Sequence, residues 1–298
     1  MGKIVLNGNE YGNNSVPALV YVAERVSTDG NGHVLTEDFL TAAEGFSCHE
    51  ITELPEMPNA GFHNSFYRGK DITSKLTDGS FWTAISSGTF EDLFVGDWFM
   101  KNNHKYVVAG FNIYYNNGDT AFTSPHAVCV PDISDSSCAD VFKNKKMKET
   151  NTTEGGYVGC LEGQVFTDIK TFLETEFEDH LAEHRELLSS EMKADVPNGP
   201  YPIGIGSASN WAWTSVKFSL MTEIEILGTT LLASSGYDIG TGKVQLPLFK
   251  FSKSILTVTN GVYTRCVADS GHFVGILNHT ESMYNRGNMD MLVKFCLV

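Results

Sequence analysis

The sequence lacks the features that draw proteins to nucleic acid or into a membrane. Its 298 residues include 21 Lys and Arg against 36 Asp and Glu, which gives a net charge of −15 at pH 7. A field of that sign repels polyanions such as nucleic acid. The chain also has no apolar run that approaches the ~20 residues of a membrane-spanning helix. We therefore expect neither nucleic-acid binding nor membrane insertion.

Cysteine is sparse and follows no motif. Six cysteines are scattered along the chain and no two of them form a Cys-x-x-Cys pair, so a zinc knuckle is not expected. The first residues, MGKIVLNGNEYG, lack the apolar core of a secretion signal and match no myristoylation signal. We therefore expect a protein made in the cytoplasm, with reduced, buried thiols rather than disulfides.

Strand patterns outnumber helix patterns. Glycine is frequent, at 28 residues, and runs rich in β-branched and aromatic side chains recur along the chain. Two main helices are predicted, Val165–Met192 and Ser215–Leu227, the second of which ends at Gly228. The sequence thus predicts an α+β fold with a mostly antiparallel sheet. The predicted strands are KIVLNG, VPALVYVAERV, HKYVVAGFNIYY, HAVCVPD, VQLPLFKF, ILTVTNGVYTRCV, FVGILN and LVKFCLV.

The first 56 residues differ from the remainder. They hold two of the predicted strands and a short helix at LTEDFLTAAEGF, and two prolines, Pro55 and Pro58, follow them. A segment of this size buries little core alone. We predict that residues 1–56 form an arm for assembly and residues 57–298 the main domain, because exposed edge strands invite pairing with another chain.

One short motif is compatible with metal chemistry. HLAEH, from His180 to His184, matches the His-x-x-Glu-His pattern of one class of zinc peptidases, with Glu183 as its carboxylate. On the predicted helix the two histidines lie one turn apart and could share a metal ion. A catalytic zinc also needs a third protein ligand, and nothing in the sequence singles one out. Both histidines fall in the apolar stripe of that helix, which favours a structural role with no metal or cofactor.

Seven short stretches and the C-terminal part together carry a resemblance. The stretches are NAGFHNSFYRGKDI, GTFEDLFVGDWF, YYNNGDT, HAVCVPD, NTTEGGYVG, HLAEHREL and VQLPLF. The C-terminal part adds VYTRCVADSGHFVGILN, a loop with Gly and Asn, and LVKFCLV. In this order they resemble a family of bacteriophage virion proteins common in phages of Gram-positive gut bacteria, over roughly Met57 to Val298.

The closing segments depart from the family pattern. Family members carry a Trp-Leu-Arg-Asp-like segment where this chain has Tyr263-Thr264-Arg265-Cys266, and they end on a Gly-Val-Arg-Pro-like strand where it has Leu292-Val293-Lys294-Phe295. The resemblance implies a C-type-lectin-like main domain, in which the first and last strands pair and the variable loops gather on one face. The family has no agreed catalytic residues, so the resemblance implies none here.

The resemblance implies a non-enzymatic structural protein displayed on the virion, in the tail or baseplate or as a capsid decoration. Its partners would be other virion proteins and further copies of itself in a homo-oligomer. A contribution to receptor binding, through a host-surface glycan, is the favoured role. Two alternatives stay open: a zinc-dependent hydrolase that uses HLAEH, and an interaction module of a bacterial cell surface.

The segment Asn278–Asn288, NHTESMYNRGN, is predicted to be an exposed loop between FVGILN and MLVKFCLV, because polar residues here separate two apolar runs. Its candidate ligand-binding residues are His279, Tyr284, Arg286 and Asn288, since aromatic rings can stack on sugars and amides can hydrogen-bond them. The negative net charge disfavours an anionic ligand. An ordinary turn without a partner is the alternative interpretation.

Overall fold

The computed structural model describes residues 4–6, 9–11, 59–148, 155–192, 208–229, 244–269, 272–277, 281–285 and 287–298. The chain divides into two units, Met1–Pro58 and Asn59–Val298, and the predicted arm falls within the first. In that unit β1 (Ile4–Leu6) pairs antiparallel with β2 (Asn9–Tyr11), as the KIVLNG pattern predicts for β1. The strand predicted at VPALVYVAERV and the helix predicted at LTEDFLTAAEGF lie outside the described residues.

Strands and short helices alternate through the second unit. The strands are β3 (Trp98–Lys101), β4 (His104–Phe111), β5 (Ala127–Pro131), β6 (Leu181–Ala182), β7 (His184–Met192), β8 (Ala208–Val216), β9 (Phe218–Leu220), β10 (Val262–Asp269), β11 (His272–Leu277), β12 (Glu281–Asn285) and β13 (Val293–Leu297). The helices are α1 (Ala60–His63), α2 (Thr73–Thr77), α3 (Ser80–Ser86), α4 (Gly156–Leu161), α5 (Gln164–Phe177), α6 (Glu223–Leu227) and α7 (Pro247–Phe251). Short 3-10 turns cover Asp140–Phe142, Glu178–His180 and Ser254–Leu256. Every pairing between these strands is antiparallel, which confirms the predicted α+β class with a mostly antiparallel sheet.

The C-terminal strand lies in the middle of the largest sheet. The order is β3-β4-β5-β13, and the far edge of β13 is shared by β9 and then β6. Every residue of β5 and of β13 is buried. A strand covered on both faces reads as a continuous apolar run, which is why HAVCVPD and LVKFCLV were recognisable as strands from sequence.

Two smaller sheets are formed by strands that lie between strands of this sheet in the chain. β7 and β8 form a long two-stranded ribbon, and β10, β11 and β12 form a three-stranded meander. The meander corrects one prediction, because the expected loop Asn278–Asn288 contains a strand, β12, whose residue Tyr284 lies opposite Val274. The polar composition of NHTESMYN concealed a strand, since an antiparallel strand can carry many polar side chains on one face.

The predicted helix Val165–Met192 is half right. α5 covers its first part and buries residues at helical spacing, among them Phe166, Ile169 and Leu173. The chain then leaves the helix at Glu178, whose backbone φ is 51°, and continues as a 3-10 turn and two strands. His184 and Leu188 misled the helical wheel, because a spacing of four residues fits one face of a helix and one face of a strand equally well.

Two further elements differ from expectation. The predicted helix Ser215–Leu227 is helical only from Glu223, because Thr222 and Glu225 form a capping box that starts α6 there, although its end at Gly228 is confirmed. The predicted strand VQLPLFKF is instead the helix α7, with Pro247 at its first turn, where the fixed φ of proline suits a helix start. Within the described residues, no helix combines the length and the apolar character needed to cross a bilayer.

Candidate functional site

The HLAEH motif does not adopt the helical geometry that the zinc hypothesis requires. His180 closes a 3-10 turn, where its ring stacks on Trp82 at 3.7 Å between ring centroids and its Nδ1 lies 2.9 Å from the carbonyl oxygen of Val298. His184 starts β7 and is buried, whereas Glu183 is exposed. Across the parts of the chain that the structure describes, no three His, Cys, Asp or Glu side chains converge as metal ligands. The i, i+4 helical geometry on which the zinc hypothesis depended is absent here.

The polar centre of the molecule is a buried ionic cluster around Glu186, which we call the Glu186 cluster: Glu186, Arg265, Lys294 and Glu225. One carboxylate oxygen of Glu186 accepts a hydrogen bond from Arg265 and faces the ammonium group of Lys294 at 3.4 Å. Lys294 also donates to Glu225. The side chains of Glu186, Arg265 and Lys294 are each only 1% exposed, so two carboxylates and two cations are neutralised inside the core.

The second oxygen of Glu186 is also satisfied. Ser219 donates its hydroxyl hydrogen to Oε1 over 2.7 Å, and the Nε2 of His184 lies 2.9 Å from the same atom. Because that oxygen is an acceptor, Nε2 of His184 carries the hydrogen. The Nδ1 of His184 is buried and has no hydrogen-bond partner among the described residues.

Three strands and one helix position the four side chains of the Glu186 cluster. Glu186 lies on the inner face of β7, Arg265 on β10, and Lys294 at the second position of β13. Glu225 belongs to the capping box of α6, where its other oxygen accepts from the backbone N–H of Thr222 at 2.8 Å. The cluster therefore ties the β7–β8 ribbon, the meander and the central sheet to one point.

The charges of the cluster stabilise one another. Burial alone would raise the pKa of Glu186, but Lys294, the hydrogen bond from His184 and Arg265 together hold that pKa well below its ordinary value. Taking charges out of water is costly, and attraction between the partners offsets that cost only while all of them are present. Loss of any one partner would therefore leave the others buried without compensation.

A second ionic cluster, the Arg68 cluster, consists of Arg68, Asp92 and Asp97. Arg68 donates to both oxygens of Asp97, at 2.9 and 2.6 Å, and also to Asp92. Asp97 in addition accepts from the backbone N–H groups of Lys70 and Phe94, at 3.1 and 2.8 Å. The cluster ties the segment after α1 to the turn before β3. Arg68 is 17% exposed and Asp92 is 44% exposed, so water reaches this cluster.

An open pocket of about 390 Å³ lies beside the start of β7. Its wall combines one aromatic ring, small side chains and charged groups. Arg185 in that wall donates to both oxygens of Asp119, at 2.9 and 2.7 Å, and this hydrogen bonding lowers the pKa of Asp119. His184 also lines the pocket, between the wall and the Glu186 cluster. The lining residues are Thr120, Ala121, Phe122, Glu183, His184, Arg185 and Ser215.

The predicted recognition residues are not gathered into a site by the described contacts. Tyr284 lies in β12, and Asn288 is exposed and donates to the carbonyl oxygen of Asn144 at 3.0 Å. His279 and Arg286 lie outside the described residues. Their role in ligand binding stays a prediction.

The cysteines offer no reactive thiol among the described residues. Cys129, Cys138, Cys160, Cys266 and Cys296 are buried and form no disulfide, as predicted, and Cys48 lies outside the described residues. Burial raises the pKa of Cys138 and of Cys160 to about 12. At neutral pH such thiols stay protonated, and a protonated thiol is a poor nucleophile.

Sequence reasoning missed Glu186, Arg265 and Lys294. A signal for two of them was present, because each interrupts an otherwise apolar strand, VYTRCV for Arg265 and LVKFCLV for Lys294. A charged side chain inside a strand that is buried on both faces needs a partner of opposite charge. The partner itself, Glu186, was concealed by the mistaken helical reading of β7.

Comparison of the chain with protein-family models, with curated proteins and with solved structures finds no match. The functional assignment therefore depends on the residues described above and on the sequence resemblance.

Proposed function

We propose that the protein is a non-enzymatic structural component of a bacteriophage virion, displayed in the tail or baseplate or as a head decoration, where it contributes to recognition of a host-surface glycan. It would assemble with other virion proteins and with copies of itself, through residues 1–56. The proposal starts from the order of the family-like stretches along residues 57–298.

One observation carries the proposal: the charged residues of the family-like stretches are used to hold those stretches together. Arg68 of NAGFHNSFYRGKDI pairs with Asp97 of GTFEDLFVGDWF. Glu186 of HLAEHREL pairs with Arg265 of VYTRCVADSG and faces Lys294 of LVKFCLV. Charges that pair with one another across these stretches support a structural role for those residues.

The two departures from the family pattern agree with this interpretation. Arg265 is the third residue of the segment that replaces Trp-Leu-Arg-Asp, and Lys294 is the third residue of the segment that replaces Gly-Val-Arg-Pro. The cation at each third position is thus retained while its neighbours differ, and these two cations are the ones that neutralise Glu186. Their retention supports the resemblance at its most divergent end.

A C-type-lectin-like arrangement of the second unit is the finer part of the proposal. Its support is the resemblance of the closing segments. One detail differs from the expected scheme, since β13 pairs with β5, β6 and β9, while β3 lies at the sheet edge beside β4. The proposal therefore covers the general architecture of the closing strands. It does not include the expected pairing of the first strand with the last.

The zinc-hydrolase alternative loses its main support with the helical geometry of HLAEH. The alternative of a bacterial surface module stays open. The neighbouring genes distinguish it from a virion protein, because portal, capsid or tail genes beside this one would favour a virion protein. The direct test is to label the protein in purified phage particles with a specific antibody and image them. Label at a defined place on intact particles is the expected result, and its absence from pure particles would contradict the proposal.

A further inference from the structure

The β7–β8 ribbon has a core face and, over residues 184–188 and 212–216, a solvent face; at the next position Ser189, opposite Trp211, is buried and accepts from the backbone N–H of Tyr157 at 3.2 Å. On β7, His184, Glu186 and Leu188 are buried, whereas Arg185 and Leu187 between them are partly exposed. The register places Arg185 opposite Ser215 and Leu187 opposite Trp213. Successive residues of a strand point to opposite faces, so Arg185, Leu187, Trp213 and Ser215 share the solvent face.

Tryptophan is concentrated on this face. Trp211 and Trp213 are two of the four tryptophans of the chain, they are two positions apart on β8, and both are partly exposed. Residues 211, 213 and 215 of one strand face span about 13 Å at roughly 3.3 Å per residue. That length suits a chain of several units better than a single small molecule. Tryptophan on an exposed strand face has a large apolar area that a flat ligand surface can cover.

The row of Trp211 and Trp213 on β8 continues to Ser215, which lines the pocket beside β7. Arg185 donates to the hydroxyl oxygen of Ser215 at 3.3 Å, which shows that these two side chains meet on the solvent face, and both also line the pocket. Asp119 holds the guanidinium of Arg185 in place through two hydrogen bonds. Glu183 adds an exposed carboxylate to the same wall. The pocket thus holds oriented polar groups at the end of an aromatic strip.

We propose that this solvent face, Trp211 and Trp213 together with the pocket at Glu183, Arg185 and Ser215, binds a neutral oligosaccharide. This inference rests on the proposed function and names the surface that would recognise the glycan. Aromatic rings stack on the apolar faces of sugars, while carboxylate, guanidinium and hydroxyl groups hydrogen-bond the ring hydroxyls.

The charges of the pocket favour a neutral ligand over an anionic one. Arg185 is already paired with Asp119, and the exposed Glu183 would repel a sulfated or carboxylated sugar. The net charge of −15 acts in the same direction at longer range. The buried Nδ1 of His184, unpartnered among the described residues, adds a polar atom behind the pocket wall.

The test measures the binding of three neutral hexasaccharides by calorimetry and by tryptophan fluorescence. The three are α-linked glucose, β-linked glucose and N-acetylglucosamine. At least one should bind at millimolar concentration. Trp213→Ala should weaken that binding about tenfold, and Trp213→Phe, which keeps an aromatic face, should retain most of it. Glu183→Ala should also weaken it about tenfold, whereas Glu162→Ala, an exposed carboxylate at a different pocket, should not.

Thermal unfolding of each variant separates loss of binding from loss of fold. Absence of binding by the unaltered protein to all three sugars would overturn the site, and so would unchanged affinity in both Trp213→Ala and Glu183→Ala. Equal loss in Glu162→Ala would also overturn it. Phage particles carrying Trp213→Ala distinguish the two proposals. If sugar binding depends on Trp213 but these particles adsorb normally to the host, the recognition function is contradicted and the site stands. If sugar binding does not depend on Trp213 but particles that lack the protein adsorb poorly, the site is contradicted and the recognition function stands.

Discussion

The Glu186 cluster and the Arg68 cluster have the same chemistry in two different surroundings. In each, a carboxylate held by a guanidinium joins segments that are distant in sequence, by 79 residues for Glu186 and Arg265 and by 29 for Arg68 and Asp97. Glu186 and Arg265 are each 1% exposed, whereas Arg68 is 17% exposed and its second partner, Asp92, is 44% exposed. Asp97 is as buried as Glu186, at 0% exposed, so the two clusters differ on the cationic side: water can reach Arg68 but not Arg265.

From this comparison we expect burial, more than geometry, to decide how much stability is lost when a charge is removed. Both guanidinium groups lie within hydrogen-bonding distance of a carboxylate, and both carboxylates accept additional hydrogen bonds. In the buried core, however, no water replaces the lost partner of a charge, so the cost of its desolvation is no longer offset. The four predictions below test this dependence on burial.

Glu186→Gln should be the most damaging of these substitutions. It removes the negative charge that faces Arg265 and Lys294 inside the core, so both cations lose the carboxylate that they share. Breaking a buried ion pair in this way costs about 3–5 kcal/mol of the free energy of unfolding. Urea unfolding followed by circular dichroism measures the change.

Glu191→Gln is the matched control for Glu186→Gln, because it makes the same substitution at an exposed position of the same strand. It should change the free energy of unfolding by less than about 0.5 kcal/mol. In a double-mutant cycle, Glu186→Gln combined with Arg265→Gln should cost less than the sum of the two single changes. Strict additivity would show that the two side chains are not coupled.

The region around the Glu186 cluster should also be sensitive to acid. His126 lies next to it, with its ring 6.1 Å from that of Tyr114, which in turn lies 4.1 Å from the ring of His184. Burial lowers the pKa of His126 from 6.5 to about 4. Its Nε2 accepts from the backbone N–H of Tyr114 at 3.1 Å, so a proton there would break that hydrogen bond.

The sign of the pH effect follows from these values. Below about pH 6.5 the unfolded chain binds a proton at His126, while the folded protein resists it until about pH 4. The free energy of unfolding should therefore fall as the pH falls through this window, by about 3 kcal/mol from His126. His126→Gln should make this dependence shallower, whatever it does to stability at neutral pH. An unchanged slope in a series of melting curves would show that another group is responsible.

Asp97→Asn should have an intermediate effect. An amide keeps one acceptor for Arg68, but its NH2 group would face the N–H of Phe94 and the Nη2 of Arg68, which are both donors. The lost and mismatched hydrogen bonds should cost about 1–3 kcal/mol, less than Glu186→Gln because Arg68 retains Asp92 and contact with water. Urea unfolding of Asp97→Asn and of Asp92→Asn checks this order. Asp92→Asn should lower the free energy of unfolding by less. Because Asp97 is itself 0% exposed, a cost equal to that of Glu186→Gln would show that access of water to Arg68 does not reduce the loss.

Sequence alone predicted the parts of the fold in which local and tertiary preferences agree. The β5 and β13 strands are continuous apolar runs, and Gly228 ends α6 as expected. It failed where one spacing served two structures, as at His184 and Leu188 in β7, and where a proline that starts a helix sat inside an apolar run, as at Pro247 in α7.

The candidate sites were harder to predict than the fold. The ionic partners of Glu186 come from β10 and β13, and pairing across 79 residues or more leaves no local pattern. The solvent face of the β7–β8 ribbon could not be recognised either, because the register that places Trp213 beside Leu187 depends on two strands, one of which was predicted to be helical. Tertiary pairing, rather than composition, creates both features.

Asp119→Asn should have the smallest effect of the four changes. Its ion pair with Arg185 has good geometry, at 2.9 and 2.7 Å, but both side chains are about one-third exposed, at 33% and 31%. Water and salt screen such a pair, and the side chains lose little when it breaks. The melting temperature should therefore stay within experimental error of that of the unaltered protein, at low and at high salt. Since Asp119 orients Arg185 beside the proposed sugar pocket, the same variant should nevertheless weaken binding of a neutral hexasaccharide. A large fall in melting temperature would instead mean that geometry outweighs burial, and the contrast between the Glu186 and Arg68 clusters would then need another cause.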